Sequence, residues 1–161
     1  MDLQVIQNKI FEVRGCRVML DFHLAELYQV ETRALKQAVK RNIGRFPSDF
    51  MFVLSKEEAN LLLSIGVSQN VIPPDYNFGA ALPMAFTEQG VAMLSSVLRS
   101  QTAIEVNISI MRAFVLMRQM VAGYEELLKR IEELEDSTDA EIQSLPPKLY
   151  MWRLSETLGN R

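Results

Sequence analysis

The chain is poor in the residues that build metal sites and disulfide bonds. Among its 161 residues there is one cysteine, Cys16, and one histidine, His23. A single cysteine excludes an internal disulfide, and one cysteine with one histidine falls short of the ligand set of a zinc site. The sequence therefore predicts a protein without a bound metal, and a reduced, cytoplasmic setting is the default expectation.

The sequence also shows no long apolar run, no pattern of a secretory leader and no group of neighbouring catalytic residues. Charged or polar residues interrupt every candidate membrane span, and the N-terminus lacks a basic lead followed by an apolar stretch. Neither Cys16 nor His23 has a neighbouring catalytic partner, and His23 is interpreted as a surface or capping residue. The seven glycines form no phosphate-cradling run. We therefore expect no membrane association, no enzymatic activity and no cofactor.

Charge is unevenly distributed along a chain whose net charge is -3. Between Glu31 and Asp49 there are five basic residues and no acid, whereas acids concentrate in residues 125–141. Affinity for phosphates depends on the local basic patch rather than on the total charge. The acidic balance therefore weakens a nucleic-acid interpretation without removing it.

Residues 21–46 contain two short amphipathic patterns separated by a polar break. In the first, Asp21 is a candidate helix cap, and Leu24, Leu27 and Tyr28 have the spacing of one buried helix face. In the second, Thr32 is the candidate cap, and Leu35, Ala38 and Val39 form the inward stripe. Two short helices joined by a turn of a few residues are typical of a helix-turn-helix.

The outward side of the second helix carries the candidate DNA-binding residues. Recognition helices usually reach base edges with their first turns. Arg33 would then suit guanine and Gln37 adenine, while the later basic residues would hold phosphates. The alternative is an ordinary solvated helix face. The predicted DNA-binding residues are Thr32, Arg33, Lys36, Gln37, Lys40, Arg41 and Arg45.

Sequence patterns typical of strands and of further helices lie on both sides of the two predicted helices. Residues 6–20 predict a β-hairpin turning at Arg14-Gly15, and residues 50–54 and 83–86 predict further short strands. Ser55 with Glu58 forms a capping box, and Thr87 caps a later helix. Residues 64–82 are expected to be a loop, because proline and glycine punctuate them. The prediction is an α+β, winged-helix-like domain with a helix-turn-helix and a short antiparallel sheet.

A long helix is predicted over residues 103–136, where apolar residues recur in steps of three and four. This spacing predicts a coiled coil in which the first half packs on the domain and the acidic second half dimerises. The alternative is a solvated helix lying back on its own domain. The division is then 1–102 for the DNA-binding domain, 103–136 for the long helix and 137–161 for a poorly ordered tail. The predicted dimerisation residues are Phe114, Met117, Val121, Tyr124, Leu128 and Ile131.

Three long motifs carry a resemblance to a known family. They are LDFHLAELY at residues 20–28, VKRNIGRFPSDFMF at 39–52, and FTEQGVAMLSSVL at 86–98. With them, residues 5–120 closely resemble the phage and prophage ORF-six N-terminal domain family, a relative of the KilA-N and antirepressor-type DNA-binding domains.

The resemblance implies a small α+β module of phage-derived regulators, presumed to bind DNA, without cofactor or reaction. The family's basic second-helix positions match Arg33, Lys36, Lys40, Arg41 and Arg45 here. Relatives often carry arginine in the loop before the FTEQG segment, but this chain has none there. The expected function is a dimeric regulator that binds double-stranded DNA. The alternative is an antirepressor-type module that binds a repressor protein.

Overall fold

The structure is a computed structural model that describes residues 2–79 and 81–144, with side chains as far as residue 140. Six helices and four strands lie in this part of the chain. The helices are α1 (Leu3–Gln7), α2 (Asp21–Tyr28), α3 (Thr32–Arg41), α4 (Lys56–Ser68), α5 (Glu88–Leu94) and α6 (Gln101–Ser144), and a short 3-10 turn spans Ile43–Arg45. The strands are β1 (Ile10–Val13), β2 (Cys16–Leu20), β3 (Met51–Val53) and β4 (Met84–Thr87).

The four strands form one antiparallel sheet in the order β1-β2-β4-β3. Strands β1 and β2 make the predicted hairpin, and its turn places Arg14 and Gly15 at φ 53° and 75°. Left-handed angles at both central residues give the turn a twist that matches the flanking strands. The predicted strands at residues 50–54 and 83–86 are confirmed as β3 and β4.

Both faces of the sheet are covered, because successive side chains of a strand point to opposite sides. On one face Met19 and Phe86 pack in a core with residues of α2, α3, α5 and the first part of α6. On the other face Val18, Leu20 and Ala85 pack with residues of α4 and the segment after it. The predicted α+β class, with a short antiparallel sheet and a long C-terminal helix, is confirmed.

Two predicted caps are present and two are wrong. Ser55 and Glu58 form the complete capping box of α4, and Thr87 accepts from the amide of Gly90 at the start of α5. The cap positions of α2 and α3 are instead Leu20 and Glu31, and neither makes a side-chain cap hydrogen bond. Asp21 and Thr32 each lie one residue further on, as the first residue of their helix.

Helices α1, α4 and α6 also differ from prediction. Helix α1 was not predicted, because five residues are too few to show a period. Helix α4 continues to Ser68, so the predicted loop begins too early. Gly66 lies inside that helix and packs closely against Ile72, since a Cβ there would lie 2.3 Å from Ile72 Cδ1. Helix α6 continues to Ser144, eight residues beyond its predicted end. The remainder of the predicted tail, 145–161, lies outside the described residues.

The described residues divide into two compact units, one ending at Met117 and the other beginning at Arg118. Within the first unit, Ile110 and Phe114 of α6 are buried in the core, and Met117 packs against it. Phe114 is only 2 % exposed, so its assignment to a dimer seam is wrong: its side chain is already covered by its own domain. Within the described part of the second unit, the apolar side chains of α6 are exposed. No described helix combines the length and apolarity needed to cross a membrane.

Candidate nucleic-acid interface

Helix α3 is anchored by one narrow stripe and presents the rest of its surface outward. Leu35 and Val39, four residues apart and therefore on one face, are both completely buried. They belong to the same core cluster as Leu24 and Tyr28 of α2, which fixes the face that α3 turns inward. The remaining positions of α3 face solvent or a neighbouring groove.

Most of the predicted DNA-binding residues lie on this outward surface. Arg33, Gln37, Lys40 and Arg41 are exposed, as is Arg45 in the 3-10 turn that follows. Among the residues that the structure describes, none of the four arginines and lysines in this set is paired with a carboxylate. Positive charge is therefore left uncompensated along the face of the helix.

A groove of about 420 Å³ runs beside α3. Its wall on the far side includes Ala81, from the segment that leads into β4. The α3 residues that line it are Thr32, Arg33, Lys36, Gln37 and Lys40. Five of the seven predicted residues thus converge on one concave surface, while Arg41 and Arg45 lie outside the groove.

Lys36 differs from the other basic residues of α3 because its ammonium group already contacts acceptor groups within the protein. Its Nζ lies 3.2 Å from Asp21 Oδ2 and donates to the carbonyl oxygen of Leu82 at 3.2 Å. Asp21 also accepts from the amide of Met84 at 2.9 Å. Burial raises the pKa of Asp21, while the Met84 amide and Lys36 act in the opposite direction. Lys36 therefore holds α3 against the starts of α2 and β4.

Arg45 contacts Ser96, a residue that no sequence pattern singled out. Its Nη1 donates to Ser96 Oγ at 2.8 Å, and Arg99 Nε donates to the carbonyl oxygen of Ser96 at 3.0 Å. Ser96 and Arg99 lie after α5, about fifty residues further along the chain. No local pattern links them to α3, so sequence reasoning missed both.

The hairpin turn does not add a free cation to this surface. Arg14 makes a two-pronged contact with Glu58 of α4, at 2.8 and 2.7 Å, and its guanidinium lies 4.4 Å from the ring centre of Phe52. The hydrogen bonds from Arg14, with that from the Ser55 amide, lower the pKa of Glu58 to about 2. The turn is thereby tied to the helix on the opposite face of the sheet.

His23 is buried, so its interpretation as a surface or capping residue is wrong. It is 2 % exposed, lies between the rings of Phe11 and Phe22, and its Nε2 is 3.3 Å from the carbonyl oxygen of Val71. Burial lowers its pKa to about 4, which keeps the imidazole neutral. Across residues 2–79 and 81–144, histidine, cysteine and acidic side chains form no cluster that could hold a metal.

The comparisons with known proteins give one match. The sequence model of one protein family, described as the ORF6N domain, matches residues 8–97. That range begins just before the hairpin and ends after α5, so it contains α3, the groove and Ser96. No curated protein and no solved structure matches the chain.

Proposed function

Because the chain belongs to the ORF6N domain family, we propose that it is a regulatory protein of phage or mobile-element origin that binds double-stranded DNA through α3. The observation that supports this proposal is the exposed, uncompensated basic face of that helix. An α-helix with its side chains is about 10–12 Å in diameter, which fits the major groove, about 12 Å wide. The protein would act as a homodimer paired through the second part of α6.

The exposed side chains of α3 divide into two roles. Arg33 and Gln37 lie within the first six residues of the helix, in the part where recognition helices contact base edges, and offer hydrogen bonds to guanine and adenine. Lys40, Arg41 and Arg45 come later and would hold phosphates, which positions the helix without reading sequence. Lys36 acts differently, since it fixes the orientation of α3 through Asp21.

Fluorescence anisotropy with a random-sequence duplex tests this function. We expect the affinity to fall with salt, and the variant Arg33→Ala plus Lys40→Ala to reduce the slope of log K against log salt by about 1, because Lys40 would hold a phosphate whereas Arg33 would contact a base. The matched control is Lys56→Ala plus Arg112→Ala, which removes the same charge from exposed positions on α4 and α6. Binding that is insensitive to salt, or equal effects of the two double variants, would reject DNA binding by α3.

A second candidate function is an antirepressor-type module that binds a repressor protein. The exposed apolar side chains on the acidic second part of α6 favour it, because a protein partner can cover both apolar and acidic surface. A pull-down from cells that contain the cognate repressor separates the two functions. A stable complex with the repressor that contains no DNA, from a protein that does not shift duplex DNA, would favour the second.

A further inference from the structure

Two arginines from distant parts of the chain converge on Ser96. The carbonyl oxygen of Ser96 accepts from Arg99 Nε at 3.0 Å and from Arg45 Nη1 at 3.5 Å. Arg45 Nη1 also donates to Ser96 Oγ, at 2.8 Å. The two guanidinium groups are therefore held side by side by the same residue.

Their separation follows from the shared acceptor. Since both donor nitrogens lie within 3.5 Å of one oxygen atom, they are no more than about 7 Å apart. Both side chains are exposed, and neither forms an ion pair within the described part of the chain. Like charges this close repel each other, and a neutral carbonyl oxygen compensates them only in part.

Capping of α5 explains one of these arginines and leaves the other unexplained. Helix α5 ends at Leu94, and a cation near its last carbonyl groups interacts favourably with the helix dipole. Arg99, three residues beyond Ser96, is sufficient for that role. The second guanidinium, from Arg45, adds repulsion at the same oxygen, which belongs to Ser96, two residues beyond the end of α5.

We propose that Arg45 and Arg99 form a phosphate clamp for the DNA backbone, an inference that rests on the proposed function. A guanidinium presents five N–H donors in a planar fork, and each arginine uses only part of its fork on Ser96. The unused donors of the two forks can bind the two free oxygens of one phosphate, whose negative charge relieves the repulsion. Ser96 preorders both side chains before the phosphate arrives.

The position of the clamp identifies its ligand as a backbone phosphate. Arg45 follows the last residue of α3 by four positions, so the clamp lies next to the C-terminal end of that helix. A helix that lies in the major groove has phosphates beside it, and contacts to them fix its register. The clamp therefore binds without sequence preference and determines how far along the groove α3 can slide.

Substitution of Arg99 tests the clamp in the full-length protein. With a random-sequence duplex, Arg99→Ala should weaken binding by about tenfold and reduce the salt slope, because a charged hydrogen bond to phosphate is lost. Arg112→Ala, the matched control, removes an exposed arginine from α6 and should leave affinity unchanged. Arg45→Ala added to Arg99→Ala should cost much less than a second tenfold, because both arginines serve one phosphate.

The outcomes separate the clamp from the proposed function. If the wild-type protein binds DNA in a salt-dependent way and Arg99→Ala has the same affinity as Arg112→Ala, the clamp is overturned. The proposed function then still stands. Wild-type protein that does not bind duplex DNA overturns the proposed function, and the clamp with it. If Arg99→Ala unfolds at lower urea, Arg99→Gln, which keeps N–H donors for the Ser96 carbonyl oxygen but carries no charge, decides between the roles. Recovered stability with weakened binding supports the clamp, whereas recovery of both shows a capping role only.

Discussion

Lys36 Nζ lies 3.2 Å from Asp21 Oδ2, and this ion pair is almost closed to solvent, with side-chain exposures of 16 % and 2 %. It joins the middle of α3 to the first residue of α2. Because the same carboxylate accepts from the amide of Met84, it also joins both helices to the start of β4. The orientation of the proposed recognition helix therefore depends on a buried charge that is not itself on that helix.

Replacement of Lys36 should destabilise the fold far more than replacement of its basic neighbours. Lys36→Ala leaves the carboxylate of Asp21 buried without its counter-charge, and removing one partner of a buried pair costs about 3 kcal/mol or more. Lys40→Ala, one turn further along, removes an exposed and unpaired side chain and should change the free energy of unfolding by less than about 0.5 kcal/mol. Urea unfolding of the two variants makes the comparison. Similar unfolding free energies would show that the pair contributes little.

The outline of the fold was predictable from the sequence because its signals are local. Apolar residues at helical spacing predicted α2 and α3, and the Ser55-Glu58 capping box predicted the start of α4. Strand-forming residues on either side of Arg14-Gly15 predicted the hairpin. Each of these patterns is complete within about ten residues, so no knowledge of the tertiary structure was needed.

The parts that were not predictable depend on residues far apart in the chain. Asp21 looks like a helix cap until Lys36 and Met84 are brought to its carboxylate. His23 looks like a surface residue until the segment at Val71 covers it. The same holds for the candidate site, where α3 was predicted but the contact of Arg45 with Ser96 was not.

Burial of a neutral His23 should make stability depend on pH. Its pKa falls from 6.5 to about 4 in the folded protein, so the unfolded chain takes up a proton first as pH decreases. The contribution is complete above about pH 6.5 and is lost as pH falls toward 4, by up to about 1.4 kcal/mol per pH unit. Lys9 and Glu26 are the charged groups that act on it, in opposite directions.

The variant His23→Phe isolates this effect. It fits beside the rings of Phe11 and Phe22 but cannot take up a proton. Unfolding free energies of both proteins from pH 7 to pH 4 give two profiles, and their difference removes the contribution of Asp21, which titrates in both. We expect the wild type to lose stability relative to His23→Phe as pH falls. Parallel profiles would mean that the pKa of His23 is the same in the folded and the unfolded chain.

Gly90 of the FTEQG segment is required by a close approach of two backbone segments. A Cβ at this position would lie 2.0 Å from the carbonyl oxygen of Phe50, which also accepts from the Thr87 amide at 3.0 Å. Backbone that is held in this way cannot move aside, so Gly90→Ala should cost about 3 kcal/mol. Gly44→Ala is the control, since nothing lies within 4 Å of its Cβ position. Equal urea midpoints for the two variants would show that the backbone at Phe50 can move aside for a side chain at position 90.

The apolar stripe on α6 should pair two copies of the chain. Tyr124 and Leu134 are 62 % and 68 % exposed, and burying such side chains contributes about 1.5–3 kcal/mol each. Other members of the stripe are Val121, Leu127, Leu128 and Ile131, each at least 39 % exposed.

Charges placed within the stripe test the pairing. We expect light scattering to report a dimer for the wild type and a monomer for Leu128→Glu plus Ile131→Glu, which places two charges within the stripe. Ala122→Glu, on the opposite side of the helix, should leave the dimer intact. A wild-type monomer at micromolar concentration would contradict the pairing, and dissociation of both variants would place the contact elsewhere on the helix.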